Sequence, residues 1–168
     1  MSTRVAIGRV PGGPPKETWV AASSRGVVLI HLGGGRKRVL KKLSERGYAP
    51  GGSKAWVAPA LRQIREYYAG RRRRFTFKIC TDDLAPFTTR VIACLRKVPY
   101  GKTVTYGELA RRAGSPRASR AVGNAMAQND FPLIIPCHRV VATRGLGGFG
   151  GGLRMKRDLL RLEGSRIP

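Results

Sequence analysis

The order of hydrophobic and polar residues in the first half of the chain predicts a small α/β structure. Short apolar runs rich in β-branched residues predict strands at 18–22 and 26–32, joined by a hairpin turn at 23–25. An alternating run predicts a third strand at 75–79. Residues 1–16 are rich in Gly and Pro, so we expect them to be irregular.

Apolar residues at helical spacing predict two helices between these strands, over 36–46 and 54–68. Gly47 and Gly70 follow them and suit the end of a helix. Residues 1–80 contain no pattern that indicates chemistry. We therefore interpret them as an α/β scaffold domain.

Helical spacing dominates residues 81–168, which we expect to form a second, mainly helical domain. Asp82 or Asp83 can cap its first helix, which has Pro86 in the first turn. The last helix of the chain is predicted over 153–163.

Two short helices joined by a tight turn are predicted inside this second domain. Thr105 and Glu108 fit a capping box that starts a helix over 106–112. Residues 114–116 make the turn, and the second helix ends near 128–129. Such a pair is typical of a helix-turn-helix, whose second helix enters a DNA groove.

Small side chains on the second helix would let it approach a nucleic-acid backbone closely. Ser119, Ala121 and Gly123 lie along it, and Arg120 is near its start. A helix with so few long side chains suits recognition of DNA shape better than recognition of base edges.

The charge of the chain favours a nucleic-acid partner. Its 168 residues include 33 Lys and Arg against nine Asp and Glu, a formal net charge of +24. Such a field attracts polyanions, above all nucleic acids, and a basic surface that is merely solvated is the alternative. Asn and Gln number only four, which agrees weakly with a thermostable protein.

No membrane, metal or cofactor is expected. The sequence has no apolar run of about 18 residues and no signal-peptide segment at its start, so we expect a cytoplasmic protein. Its three cysteines and two histidines are scattered without a CxxC pair, which disfavours disulfides and a zinc site.

The main chemical signal is PCHRV at 136–140, reached through the apolar run 131–135. We expect a buried strand or strand end that carries a thiol and an imidazole. Cys137 is either a nucleophile or, as free cysteines usually are, a small packing residue. Because neighbours in a strand point to opposite faces, a water relay from Cys137 to His138 fits better than a direct bond.

Two further features are candidates for the rest of a site. The glycine-rich run 145–152 either brings backbone N–H groups to a ligand or is a flexible connector. Glu163 lies in the last turn of the predicted helix, where an acid opposes the helix dipole. It therefore has a specific partner or is simply solvated.

These motifs together resemble the O6-alkylguanine-DNA alkyltransferase family. The resemblance rests on IPCHRV at 135–140, VPYG at 98–101, TYGELA at 105–110, RAVGNAM at 120–126 and GGL at 151–153. It implies a ribonuclease-H-like α/β domain followed by a mainly α-helical domain with a helix-turn-helix. It also implies binding to the minor groove of double-stranded DNA, with the damaged base flipped into a pocket. We further expect a monomer.

By position, the resemblance makes Cys137 the nucleophile and methyl acceptor. His138 would act as its base through a water molecule and would be oriented by Glu163. Asn129 would brace the loop before the site, and Tyr106 would donate a hydrogen bond to N3 of the departing guanine. The expected DNA contacts are Arg120, which replaces the flipped base in the stack, and Ser119, Ala121, Gly123 and Tyr106. The expected base-pocket residues are Val140, Phe149, Gly150 and Met126.

The function that the resemblance implies is DNA repair. A methyl or alkyl group would pass irreversibly, once per protein molecule, from O6-alkylguanine in duplex DNA to Cys137, with O4-alkylthymine as a second substrate to test. Two alternatives stay open. One is a helix-turn-helix DNA-binding protein with an inert cysteine, and the other is a Cys-His hydrolase that turns over many times.

Overall fold

The computed structural model describes residues 2–81 and 84–167. The chain divides into two compact units, Met1–Thr81 and Asp82–Pro168. The helix cap expected at 82–83 lies outside the described residues. Among the described residues, none of the helices has both the length and the apolar character that crossing a bilayer requires.

A four-stranded mixed sheet forms the centre of the N-terminal unit. Its strands are β1 (Thr3–Pro11), β2 (Glu17–Ser23), β3 (Gly26–Leu32) and β4 (Tyr48–Pro50). The order across the sheet is β3-β2-β1-β4. The first three strands are antiparallel, as the predicted hairpin requires, whereas β4 pairs in parallel with β1.

Strand β1 corrects the expectation that residues 1–16 are irregular. The Gly and Pro residues that suggested a loop are concentrated after residue 10, whereas Val5 and Val10 are buried in the strand. Gly8 lies inside the strand because Leu61 packs directly over it. A Cβ atom on Gly8 would lie 2.5 Å from Cδ1 of Leu61, so this glycine marks close packing and not a turn.

Helices α1 (Gly35–Ser44) and α2 (Ala58–Tyr68) pack on opposite faces of the sheet. Val39 of α1 joins a core cluster with Val5 of β1. Helix α2 covers Gly8 of the same strand. Because Gly8 is three residues from Val5, the two residues face opposite sides of the sheet. Both helices were expected, but α2 is shorter than the predicted 54–68.

The start of that predicted helix is a separate turn of 3-10 helix, Lys54–Trp56. The hydroxyl oxygen of Ser53 accepts the N–H of Ala55 and caps this turn. Helix α2 begins afresh at Ala58, with Pro59 in its first turn, where a missing N–H costs no hydrogen bond.

The strand expected at 75–79 does not form. Ile79 alone makes a β-bridge there in the described part of the chain, with Val27. Phe75 instead packs against Tyr67 of α2, with ring centres 5.4 Å apart. The alternation of aromatic and polar residues therefore reflects packing on a helix and not a sheet ladder.

The C-terminal unit is mainly helical, as expected. Its helices are α3 (Pro86–Leu95), α4 (Tyr106–Arg112), α5 (Ser119–Ala127) and α6 (Leu153–Leu162). Two short strands, β5 (Val104–Thr105) and β6 (Val140–Val141), pair in parallel. The sequence pattern did not indicate this pair. It places the residues that follow the PCHR segment beside the start of α4.

Helix α4 begins at the predicted cap. The hydroxyl oxygen of Thr105 accepts the N–H of Glu108 at 3.1 Å. The carboxylate of Glu108 binds Arg112 one turn later and does not return to the N–H of Thr105. Only half of the predicted capping box is therefore formed, and it suffices to set the first residue of α4.

Candidate active site

Cys137 lies at the start of a buried turn and not in a strand. Residues 137–139 form one turn of 3-10 helix, in which the N–H of Arg139 donates to the carbonyl of Pro136 at 2.9 Å. The chain becomes extended only at Val140, where β6 begins. Of the two expected forms, a strand through Cys137 is therefore wrong, whereas the segment does meet the end of a strand at Val140. A turn can bring adjacent thiol and imidazole groups into one site, which strict alternation would oppose.

Asn129 braces the segment that leads into this turn. Its Nδ2 donates to the carbonyl of Ile135 at 2.9 Å, and its Oδ1 accepts the N–H of Phe131 at 2.9 Å. One side chain thus satisfies backbone groups at both ends of the apolar run. Between them Leu133 has a φ of 75°, a conformation that residues other than glycine rarely adopt. The loop before Cys137 therefore has a specified shape.

Glu163 fixes the ring of His138. Nε2 of His138 lies 2.8 Å from Oε1 of Glu163, and both side chains are buried. A carboxylate can only accept, so Nε2 carries the proton and Nδ1 has the free lone pair. Nδ1 is buried and has no hydrogen-bond partner among the described residues. The thiol of Cys137 therefore makes no direct hydrogen bond to this ring.

Arg139 completes the buried ionic cluster. Its Nε and Nη2 donate to the two carboxylate oxygens of Glu163 at 2.8 Å and 2.9 Å, and its Nη1 donates to the carbonyl of Val98 at 2.8 Å. Two parallel bonds of this kind give an arginine–carboxylate pair both strength and a fixed geometry. Arg139 thus holds the carboxylate that in turn holds His138.

The pKa values of the pair follow from burial and from these bonds. Burial by itself raises the pKa of Glu163, but the hydrogen bonds from His138 and Arg139 hold that pKa well below its ordinary value. Burial lowers the pKa of His138 and outweighs the contact with Glu163. At neutral pH the site therefore contains an ionised carboxylate and a neutral imidazole.

The VPYG segment positions the end of α6. The N–H of Gly101 donates to Oε2 of Glu163 at 3.3 Å, and the hydroxyl of Tyr100 donates to the carbonyl of Leu162 at 3.1 Å. Gly101 has a φ of 78°, and a Cβ atom there would lie 2.9 Å from the carbonyl oxygen of Glu163. Only glycine fits this approach, so the motif serves the site through its backbone.

Lys156 is a site residue that the sequence reasoning missed. It is buried, and its Nζ donates to the carbonyl oxygens of Val140 at 2.5 Å and Gly148 at 2.9 Å. Burial lowers the pKa of Lys156 to about 8, and the nearby Cys137 acts in the opposite direction. A sequence signal existed, because a lysine stands on the apolar face of α6 near Leu159.

The thiol of Cys137 needs its neighbours in order to ionise. Burial raises its pKa, because a dry surrounding disfavours the thiolate. The side-chain amide of Asn129, the ammonium of Lys156 and the backbone N–H groups of Cys137 and His138 act against that effect. The site can therefore support a thiolate only as long as these groups keep their places.

Tyr106 faces the glycine-rich loop. Its hydroxyl donates to the carbonyl of Gly148 at 3.3 Å, the same oxygen that accepts Lys156. Gly147 has a φ of 70°, and a Cβ atom there would lie 2.7 Å from Cε2 of Tyr106. Burial raises the pKa of Tyr106, so its hydroxyl keeps its proton and stays a donor at neutral pH.

Four of the five residues expected to contact DNA lie on α5, and the fifth is Tyr106 on α4. A Cβ atom on Gly123 would be 4.0 Å from Cε1 of Tyr106, so this helix face looks toward the tyrosine. Arg120 and Ala121 are exposed, and Ser119 is half-buried. Among these residues, Gly123 is the one that the structure brings next to a predicted catalytic side chain.

The residues expected to line a base pocket are only partly brought together. Val140 is buried, and its carbonyl binds Lys156. Phe149 and Met126 are half-buried, and Gly150 is exposed. Within residues 84–167 no hydrogen bond joins these three residues to Cys137, so their place in a pocket stays a prediction.

A metal centre is not found in the described part of the chain. No group of three or more His, Cys, Asp or Glu side chains there is arranged to hold a metal ion. All three cysteines are free thiols.

Comparison with known proteins assigns the C-terminal unit to a class. Residues 86–165 match the family model described as 6-O-methylguanine DNA methyltransferase, DNA binding domain. The chain is 45% identical over 107 residues to the methylated-DNA–protein-cysteine methyltransferase of Methanosarcina acetivorans. The aligned region covers 63% of this chain and 68% of that protein. It is 38% identical over 109 residues to the constitutive methylated-DNA–protein-cysteine methyltransferase of Bacillus subtilis, 64% of this chain and 66% of that protein.

Solved structures extend the likeness to nearly the whole chain. The structure of Mycobacterium tuberculosis OGT in complex with DNA matches with a TM-score of 0.77 and 31% identity, over 98% of this chain and 96% of that chain. The O6-methylguanine-DNA methyltransferase of Pyrococcus kodakaraensis matches with a TM-score of 0.67 and 30% identity, over 96% and 98%. The chain therefore belongs to the methylated-DNA–protein-cysteine methyltransferase family.

Proposed function

We propose that this protein repairs duplex DNA by moving a methyl or larger alkyl group from O6 of guanine to the sulfur of Cys137. DNA repair by alkyl transfer to a cysteine is the activity that family membership supports. The observation that carries the assignment is the buried Cys137 beside a His138 whose ring Glu163 fixes. In the reaction the sulfur forms a bond to the alkyl carbon, and the carbon–oxygen bond electrons stay on the guanine.

The proton of the thiol passes to His138. Its Nδ1 has a free lone pair, and a buried acceptor without a partner costs roughly 1–3 kcal/mol. We place a water molecule between Nδ1 and the sulfur of Cys137, where it satisfies the acceptor and relays the proton. The ionised Glu163 then stabilises the imidazolium that forms.

Lys156 and Tyr106 supply the other charges that the transfer needs. The ammonium of Lys156 favours the thiolate of Cys137. The hydroxyl of Tyr106, which donates to Gly148 in the free protein, would donate to N3 of guanine as negative charge develops on the base. A donor aimed at developing charge lowers the barrier more than one aimed at the substrate.

DNA would be held by α4 and α5, acting as a helix-turn-helix in the minor groove. The small residues Ser119, Ala121 and Gly123 support a close approach of α5 to the backbone. The exposed Arg120 would enter the stack in place of the flipped base. Flipping is required because an in-line attack on a base substituent cannot be assembled inside the stack.

The base would sit against Val140, Phe149, Gly150 and Met126. Backbone groups of the glycine-rich loop would read its edge, since that loop already lies against Tyr106. The tight approach of Gly147 to Tyr106 supports this placement, because a bulkier loop residue would push the ring away. O4-alkylthymine is the second lesion to offer to this pocket.

The two domains would have different roles. Residues 1–80 would be a ribonuclease-H-like scaffold, an idea supported by three antiparallel strands followed by a parallel fourth. Residues 81–168 would carry DNA binding and alkyl transfer. We propose a monomer that works in the cytoplasm without a cofactor.

Stoichiometry tests this proposal. A thioether has no easy route back to a thiol, so each protein molecule should repair one O6-methylguanine in an excess of modified duplex. Cys137→Ser should repair none, whereas the matched Cys94→Ser should behave as the parent does, since the Cys94 thiol donates to the carbonyl of Arg112, away from the cluster around Glu163. Repair of many lesions per molecule would indicate a hydrolase, and DNA binding without repair would indicate an inert cysteine.

A further inference from the structure

The N-terminal unit has no part in the proposed chemistry, yet it carries most of the positive charge. Residues 1–81 contain 18 Lys and Arg and three acidic residues, a formal charge of +15 out of +24 for the whole chain. A scaffold gains nothing from such an excess, because like charges repel one another in the folded state. The excess indicates an anionic partner for this unit.

The three acidic side chains of this unit are already engaged. Their cationic partners are Arg9 for Glu17 at 3.4 Å, Lys41 for Glu45 at 3.9 Å and Arg72 for Glu66 at 2.6 Å. Three carboxylates cannot neutralise 18 cations, so most of the positive charge of this unit is uncompensated within it.

The first turn of helix α1 carries three such cations in succession. Arg36, Lys37 and Arg38 are exposed, and none of them forms an ion pair with a described residue. Val39, the next residue, packs into the core and anchors this turn, so the helix holds the three cations on a rigid element. Its first turn contains no acid. Cations at this end oppose the helix dipole, so helix stability does not account for them.

The arginine run 71–74 is the competing surface of the same unit. It is partly neutralised, because Arg72 binds the carboxylate of Glu66 and also donates to the carbonyl of Arg74 at 3.0 Å. By contrast, Arg36, Lys37 and Arg38 form no ion pair with a described residue. The unneutralised charge is therefore better placed for a ligand on α1.

We propose that the exposed first turn of α1, formed by Arg36, Lys37 and Arg38, binds phosphates of duplex DNA without regard to sequence. An arginine guanidinium can donate two parallel hydrogen bonds to two oxygens of one phosphate, and the lysine adds a positive charge. We choose duplex DNA as the polyanion because the chain belongs to a family that acts on DNA. A second contact with the same duplex would strengthen binding, because the first contact raises the effective concentration of DNA at the second. This contact acts beside the repair reaction and does not depend on alkyl transfer.

The test measures affinity for an unmodified duplex over a series of salt concentrations. The full-length variant R36Q/K37Q/R38Q should bind more weakly, with a slope of log affinity against log salt shallower by roughly 2–3, because each lost phosphate contact removes about 0.9. The matched control K16Q/K54Q/K78Q removes the same charge from exposed sites of the same unit. It should keep the parent slope. Circular dichroism melting verifies that all variants are folded.

Four results would overturn the proposal. The α1 variant could keep the parent slope, or the control could lose as much slope as it does. In the third, R71Q/R73Q/R74Q alone would lose slope, which would place the contact on the arginine run. In the fourth, the parent would bind anionic vesicles more tightly than DNA, and the α1 variant alone would lose that binding. The first turn of α1 would then be a membrane-binding surface. Because the duplex is unmodified, failure of the repair reaction would leave these readings unchanged.

Discussion

Nε2 of His138 lies 2.8 Å from Oε1 of Glu163, so one buried carboxylate determines which ring nitrogen can accept a proton. The same carboxylate binds Arg139 through two bonds and the backbone of Gly101 through a third. Glu163 therefore joins the turn 137–139, the VPYG segment and the end of α6. Under the proposed function, this one residue connects the stability of the C-terminal unit with the reactivity of Cys137.

Replacing Glu163 with Gln should impair both properties. His138 loses the acceptor that fixes its tautomer, and loss of a positioned general base typically lowers a rate by roughly 100-fold or more. Arg139 is left buried without its charge partner, which costs roughly 3–5 kcal/mol. The rate of reaction with free O6-benzylguanine and urea unfolding measure the two effects. Glu108→Gln, at a part-exposed acid on α4, is the matched control, and an unchanged rate in Glu163→Gln would contradict the assigned role.

His138 should make stability depend on pH near neutrality. Its pKa in the folded protein is lowered by burial, so the unfolded chain takes up a proton first. The free energy of unfolding should therefore fall as pH drops below about 6.5, the ordinary pKa of histidine. Urea unfolding at neutral and mildly acidic pH should show this loss in the parent and in His31→Gln. In His138→Gln it should be absent, and an equal pH dependence in that variant would argue against a buried neutral imidazole.

Lys156→Met should slow alkyl transfer while the protein stays folded. The change keeps the length of the side chain but removes the ammonium that favours the thiolate, and one unit of thiol pKa corresponds to about tenfold less thiolate. Lys156 loses its proton above about pH 8, so the parent and the variant should converge there. Rates of Cys137 modification below and above pH 8 measure this, with Lys97→Met at an exposed site as control. A constant rate ratio at all pH values would exclude the charge effect.

Arg120→Ala should separate DNA handling from chemistry. The side chain is exposed on α5 and takes no part in the cluster around Glu163. We expect repair of O6-methylguanine in duplex DNA to slow markedly while reaction with the free base O6-benzylguanine stays at the parent rate. Arg117→Ala, just before the same helix, is the control for loss of one charge. Equal losses on duplex and free base would speak against insertion of Arg120 into the stack.

Much of the C-terminal unit could be predicted because its local signals agree with one another. Thr105 caps α4 as its sequence context indicates, and Gly164, with a φ of 68°, follows the end of α6. The pairing of His138 with Glu163 was expected only from the family resemblance, since residues 25 positions apart have no local signal for contact. Their distance now gives that expectation a physical basis.

Other features could not be read from the chain because tertiary contacts decide them. Strand β1 contains Gly8, which looks like a breaker until Leu61 is seen to pack over it. The run 75–79 alternates as a strand does, but its Phe75 packs against α2. The sequence places Lys156 on the apolar face of α6, but its role depends on the carbonyl oxygens of Val140 and Gly148, which only the structure brings to its ammonium.

The identity of the residue that accepts the alkyl group is the central claim, and peptide mapping tests it most directly. The full-length protein is incubated with a duplex that contains O6-methylguanine, digested and analysed by tandem mass spectrometry. We predict one added methyl group on the sulfur of Cys137 and none on Cys80 or Cys94. A methyl group on either of those two cysteines, or repaired DNA with no methylated protein, would contradict the account.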